Sequence, residues 1–289
     1  MRTRSLLLVV LTGFLALTSA AQAESGAKPS PRVVEAQLDS KLMGRKMPYR
    51  VMLPDDYGKS VARYSVIYLL HGFAGSYANW FDKTGVAQYS AGKPFIIVTP
   101  EGENGWYTDI PSKPNTNYES YIVKELIPEI DGKYRTLKTR AHRMIAGLSM
   151  GGYGALKIAI RNPSMFSLAG SFSGALRAAA DKDPIDLPPG AVTASISATF
   201  ADAEVRKNNE LFAMVATASP DQVKAMPMIY LACGTEDFTF ANNDAFRTLL
   251  LQKKITHDYR ERPGTHEWAF WDRQVAEFLA VAERSISPK

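Results

Sequence analysis

The chain has 289 residues, 46% hydrophobic and 22% charged, with glycine and proline dispersed along it; this is a globular composition and excludes a disordered, collagen-like or coiled-coil chain. Its net charge of +5 falls by the two units of Arg2 and Arg4 to +3 once an N-terminal leader is discounted, and the remaining Lys and Arg alternate with Asp and Glu, which argues against a nucleic-acid partner. A single cysteine, Cys233, excludes an intramolecular disulfide and a thiolate-cluster zinc site, so any chemistry must use hydroxyl, imidazole and carboxylate groups.

Arg2 and Arg4 precede an apolar run over 6–17, and Ala21-Gln22-Ala23 supplies small residues before Glu24. This is the pattern of a cleavable secretory signal over 1–23, too short to cross ~30 Å of hydrocarbon. No cysteine follows it for lipidation, and no second apolar stretch is long enough to span a membrane. The expected mature protein is secreted or periplasmic, starts at Glu24 and makes no stable membrane insertion. Residues 24–31, rich in Ser, Gly, Lys and Pro, read as a tether, and 32–289 as a single domain.

Segments 33–38 and 47–53 alternate as strands around a polar connection at Met43-Gly44-Arg45, predicting an antiparallel pair. The runs 64–70, 95–99, 143–148, 168–172 and 228–232 are short and nearly continuously apolar, as strands covered on both faces are. A strand-like segment follows at 256–262. Helical periods lie at 118–130, 151–161, 243–253 and 267–284. Strand and helix alternate, so an α/β fold is expected, with a mostly parallel central sheet and helices on both faces. Residues 175–226 break the rhythm with Pro184, Pro188, Pro189 and Gly190 and a polar helical segment over 202–215; they read as a lid-like insertion over the ligand-binding edge of the sheet.

Gly147-Leu148-Ser149-Met150-Gly151 is G-x-S-x-G, directly after an apolar strand and directly before a helix. That context defines a nucleophile elbow, whose tight turn leaves no room for β-carbons two residues either side of the serine. A serine needs a base, and the chain has four histidines. His71 sits where it would shape a backbone loop, whereas His142 and His257 lie at the wrong ends of their strands. His266, in Pro263-Gly264-Thr265-His266, follows a strand at its C-terminal end and is the expected base. The orienting acid should come from another such loop, and Cys233-Gly234-Thr235-Glu236-Asp237 offers Asp237, with Glu236 and then Asp244 as competitors. An oxyanion hole is expected from the Met150 N–H and from the loop His71-Gly72-Phe73-Ala74-Gly75, through the Phe73 N–H.

With these motifs, and with Tyr68-Leu69-Leu70-His71-Gly72, Trp106-Tyr107-Thr108-Asp109, Glu125-Leu126-Ile127-Pro128 and Gly264-Thr265-His266-Glu267-Trp268, the chain resembles the esterase D-like family of α/β-hydrolases over roughly residues 49–279. That family includes carboxylesterases, feruloyl esterases, S-formylglutathione hydrolases and mycolyltransferases. The resemblance implies the α/β-hydrolase fold and acyl transfer through an acyl-enzyme, with no cofactor and no metal. It also makes Trp106 and Tyr107 candidates for substrate binding. Asp237 matches the esterase branch better than the mycolyltransferases, which use a glutamate, and an export signal argues against the cytosolic formylglutathione branch. The expected function is an exported serine esterase acting on short-chain, acetyl or feruloyl esters, small or glycan-linked. Two other readings remain open: an acyltransferase delivering the acyl group to a sugar hydroxyl, and a non-catalytic binding module on the same scaffold.

Overall fold

The computed structural model describes residues 32–180 and 190–286; the expected signal over 1–23, the tether over 24–31 and residues 181–189 of the insertion lie outside them. The chain opens with strands β1 (Val33–Ser40), β2 (Arg45–Met52) and β3 (Ser65–Leu70), then short helices α1 (Asn79–Lys83) and α2 (Val86–Tyr89) and strand β4 (Phe95–Pro100). Helix α3 (Tyr118–Ser120) runs through a π-helical stretch, Tyr121–Leu126, into α4 (Ile127–Lys133). Strand β5 (Arg143–Leu148), helix α5 (Met150–Arg161) and strand β6 (Leu168–Phe172) follow. Four short helices come next, α6 (Ala191–Thr199), α7 (Ala203–Asn209), α8 (Leu211–Ala216) and α9 (Pro220–Ala225). The chain closes with β7 (Met228–Gly234), α10 (Phe240–Gln252), β8 (His257–Arg262) and α11 (Trp268–Ile286).

The strands form one eight-stranded sheet in the order β1-β2-β4-β3-β5-β6-β7-β8. β2 pairs antiparallel with both β1 and β4, and every other pairing is parallel. This is the expected α/β architecture, with the antiparallel opening pair in place. Strands β3 to β6 are buried along their whole length, which is why they read as nearly continuous apolar runs. β8 is an edge strand, half-buried at best and carrying Asp258, Arg260 and Arg262, charges that discourage pairing with another chain.

The alternation of side chains across the sheet divides the core. Val66, Tyr68 and Leu70 of β3 pack on one face with α4, α5, the insertion helices and α10. Ile67 and Leu69 pack on the other with α1, α2 and α11. α11 buries Trp271, Gln274, Val275, Phe278, Leu279 and Ala282, a stripe at helical spacing laid against the sheet.

Two local expectations shift. The first connection is made by residues 41–44, and Arg45 already pairs with Ser40 in the sheet. Gly44 makes the turn at φ 63° with the Asn115 side chain where a Cβ would stand. The insertion does not hold one polar helix over 202–215. It is cut into pieces, because Asp202 caps α7 through the Glu204 and Val205 amides at 2.8 and 2.9 Å, and Glu210, in extended conformation, starts α8 afresh by accepting from Phe212 N–H. Ser219 and Gln222 form a capping box on α9.

The α11 side of the sheet centres on Phe278, whose ring meets Phe172 and Tyr230 edge-on at 5.7 and 5.6 Å. A Cβ at Gly170 would lie 2.7 Å from it, so glycine there makes room for the ring. Phe278→Ala is expected to lower stability by about 3–5 kcal/mol, read in urea unfolding as a lower midpoint with an unchanged slope.

Candidate active site

All the loops that form the site leave the C-terminal ends of parallel strands, the edge where open α/β sheets place ligands. β5 delivers Ser149 at φ 52° and ψ −116°, a left-handed conformation costly for a residue with a side chain. The turn is locked by close packing. A Cβ at Gly147 would sit 2.5 Å from the Gly151 carbonyl, and one at Gly151 would sit 2.6 Å from the His71 carbonyl oxygen and closer still to that of Leu70. Around it, Ser149 N–H donates to Phe172 O at 2.9 Å, and Ser149 O accepts from Tyr153 and Ala175 N–H, each at 3.1 Å.

Ser149 Oγ lies 3.0 Å from His266 Nε2, and His266 Nδ1 lies 3.0 Å from each carboxylate oxygen of Asp237. The Asp237 carboxylate also accepts from Thr239 N–H and Oγ1–H, each at 2.8 Å. Burial raises the Asp237 carboxyl, but the hydrogen bond and charge of His266 and the Thr239 amide outweigh it and hold the group below the usual carboxylate range. The two competing acids are engaged elsewhere. Glu236 accepts from Gly264 N–H at 2.6 Å, tying down the loop that carries His266, and Asp244 pairs with Arg247 at 2.8 Å. The imidazole stands between the Phe238 ring at 4.3 Å and the edge-on Trp271 ring at 5.0 Å.

The other histidines lie outside this chain of hydrogen bonds. His142 Nδ1 is 2.9 Å from Ser65 Oγ and His257 Nδ1 is 2.7 Å from Ile255 O. His71 is buried behind the loop after β3, with Nδ1 2.8 Å from Gly72 O and Nε2 3.0 Å from Glu101 Oε1. Burial raises Glu101, but His71 and the backbone amides around it bring it below the usual range. A further strut holds this loop, Ala74 N–H donating to Asn104 Oδ1 at 2.7 Å. Gly72 comes against the serine, since a Cβ there would be 3.5 Å from Ser149 Cβ. Among the described residues neither Phe73 N–H nor Met150 N–H donates a backbone hydrogen bond, so both donors are left without a backbone partner.

Trp106 and Tyr107 part company. Both take left-handed φ values, 52° and 48°, in a turn that sends one side chain into the cleft and the other into the core. Trp106 lines the cleft, with its Nε1–H donating to Ser195 Oγ of α6 at 3.0 Å. Tyr107 does not. It is fully buried against Gly102 and Gly154, and its hydroxyl donates to His71 O at 3.0 Å. Its place is therefore behind the Gly72–Gly75 loop, which corrects the expectation that it binds substrate.

Sequence reasoning missed Lys157. This fully buried α5 lysine donates to Tyr107 O, Thr108 Oγ1 and Asn209 Oδ1 at 2.8, 2.7 and 2.9 Å and pairs with Glu119 at 3.2 Å. Burial pulls its ammonium down to about 8 against the attraction of Glu119. It joins the Trp106 turn to α5 and to the insertion. The available signal was a lone lysine inside the apolar run Gly154-Ala155-Leu156-Lys157-Ile158-Ala159.

Together these residues border a cleft of about 420 Å³ that includes Ser149, His266, Phe73, Trp106, Phe238 and Trp268. Among the described residues no group of three or more His, Cys, Asp or Glu is placed to hold a metal, and no helix is long and apolar enough to cross a membrane.

Residues 40–281 match the model of the Esterase family, described as "Putative esterase". The chain belongs to this family. An esterase of Mycobacterium tuberculosis is 32% identical over 260 residues, a match covering 82% of this chain and 56% of that protein, so the chain spans little more than half the length of that relative. An acetyl esterase of Caldicellulosiruptor saccharolyticus is 27% identical, with 84% and 95% of the two chains covered. A solved ferulic acid esterase is 28% identical and superimposes with a TM-score of 0.76 over 88% of this chain and 97% of its own. These matches agree with the resemblance carried by the sequence motifs and with the α/β-hydrolase fold.

The left-handed backbone at Ser149 favours glycine. Ser149→Gly is expected to raise the melting temperature in calorimetry, by an amount corresponding to about 1–3 kcal/mol of released strain. An unchanged or lowered melting temperature would contradict the strained elbow.

Proposed function

We propose that the protein is an exported serine carboxylic-ester hydrolase in which Ser149 is the nucleophile, His266 the general base and acid, and Asp237 the carboxylate that orients the imidazole. The observation that carries this reading is the unbroken chain from Asp237 through both nitrogens of His266 to Ser149 Oγ, 3.0 Å at each link, beside two open backbone donors. Family membership and the names of the relatives support ester hydrolysis or acyl transfer as the broader class.

In this mechanism Ser149 Oγ attacks the ester carbonyl carbon while its proton passes to His266 Nε2. The carbonyl π pair moves onto oxygen, which the Phe73 and Met150 N–H groups hold at the N-terminus of α5, where the helix dipole favours negative charge. The ionised Asp237 fixes Nδ1–H and stabilises the imidazolium. Collapse of the tetrahedral intermediate breaks the bond to the alcohol oxygen, which leaves with the proton from Nε2. Water then attacks the acyl-Ser149 ester, His266 takes its proton and returns it to Ser149, and the carboxylic acid departs.

Short-chain, acetyl or feruloyl esters are the proposed substrates. A cleft of about 420 Å³ with Trp106 and Phe73 in its wall suits a small or flat acyl group. The leader pattern over 1–23 supports action outside the cytoplasm.

Hydrolysis of p-nitrophenyl acetate, butyrate and octanoate and of methyl ferulate by the purified protein tests the reading. Ser149→Ala is expected to lower kcat by about 10⁶-fold and Asp237→Asn by about 10⁴-fold, with both variants folded. Turnover that survives Ser149→Ala would refute it.

A further inference from the structure

We infer that the cleft contains a subsite for a negatively charged sugar on the alcohol side of the scissile bond, with Trp268 as the stacking face and Lys83 as the partner of the sugar carboxylate. The inference rests on the proposed mechanism for the position of the ester. His266 Nε2 must protonate the departing oxygen, so the alcohol lies on the His266 side of Ser149 and the acyl group on the other. The aromatic contacts divide in the same way. Trp106 meets Phe73, Tyr153 and Phe200 at 6.2–6.5 Å, away from the imidazole. Trp271 meets His266 at 5.0 Å and Trp268 at 5.2 Å, and Trp268 meets Trp80 edge-on at 5.9 Å. Trp268 is thus a half-buried ring held rigidly on the alcohol side.

Lys83, the last residue of α1, places its ammonium 5.2 Å from the Trp268 ring centroid, within cation–π range. Of the described side chains lining the cleft, Lys83 and His266 are the titratable ones, so the ammonium faces a described lining without a carboxylate. Two acids of the adjoining segments are committed elsewhere. Asp82 pairs with Arg50 at 2.6 Å, while Asp272 accepts from Gly85 N–H and the Tyr89 hydroxyl at 2.6 and 2.8 Å. One helical turn before Lys83, Asn79 also lines the cleft; its Oδ1 accepts from Ser76 N–H at 2.9 Å. An aromatic ring with a cation beside it, and the polar Asn79 side chain one turn away, suit a hydroxylated ring bearing a carboxylate. A neutral alkyl alcohol would pack on the ring but leave the ammonium without an ion pair.

The test compares acetate release from acetylated methyl β-glucuronide and acetylated methyl β-glucoside, esterified at the same hydroxyl. The glucuronide is expected to have about fivefold higher kcat/KM at low salt, the size of one partly screened ion pair. That preference should shrink at about 1 M salt, where the Debye length is ~3 Å, fall to about one in Lys83→Met, and invert in Lys83→Glu. A ratio near one in the unsubstituted protein, or a preference that neither substitution alters, would overturn the subsite. Hydrolysis of p-nitrophenyl acetate, which carries no sugar, decides the hydrolase reading separately. Methyl β-glucuronide titrated into Ser149→Ala gives a readout without turnover. Tryptophan quenching stronger than that by methyl β-glucoside supports the subsite, and equal responses overturn it.

Discussion

The site depends on one close approach, the N-terminus of α5 pressed against the C-terminal end of β3. A β-carbon at Gly151 would collide with the carbonyl oxygens of Leu70 and His71, and one at Gly147 with the backbone of Gly151. Only a glycine at each position lets the strand turn into the helix within so small a space. The turn forces Ser149 into its left-handed conformation and lifts its hydroxyl clear of the sheet. The same approach brings the first amide of α5 beside the loop after β3, so the proposed nucleophile and the proposed oxyanion donors follow from one packing constraint.

What surrounds the elbow resists movement. Glu101 and the Tyr107 hydroxyl hold His71, and His71 holds the backbone of Gly72. Lys157 ties the turn bearing Trp106 to α5 through the Tyr107 carbonyl and Thr108 hydroxyl, and reaches Asn209 in the insertion. Glu236 binds Gly264 N–H and so links the loop after β7 to the loop after β8, setting Asp237 and His266 at hydrogen-bonding distance. All but the exposed Glu236–Gly264 bond are buried or half-buried, and the value of these contacts is positional: a group displaced by even an ångström would no longer aim at a reacting atom.

Most of this was legible in the chain. Strands β3 to β7 could be read because each is covered on both faces and is therefore nearly continuously apolar. The elbow could be read because its glycines answer a steric demand. Topology placed Asp237 and Glu236 on the same loop and left Glu236 a competitor; in the structure Asp237 turns inward to His266 while Glu236 turns to the neighbouring loop. The rest needed three dimensions. α1 and α2 are too short to show a period, and the breaks in the insertion follow caps at Asp202, Glu210 and Ser219 that a polar stretch conceals. Tyr107 and Trp106 are adjacent and chemically alike, and only the left-handed turn beneath them decides which one meets the cleft. Lys157 was hidden because its partners, Tyr107, Thr108, Glu119 and Asn209, are distant in sequence.

The central claim is that Ser149, activated through His266, forms a covalent acyl-enzyme. Intact-mass spectrometry after reaction with a fluorophosphonate, followed by peptide mapping, tests it most directly. The account predicts a single adduct on the peptide containing Ser149, absent from Ser149→Ala and slowed greatly in His266→Ala. A folded protein that takes up no adduct, or carries it elsewhere with Ser149 unmodified, would contradict the account.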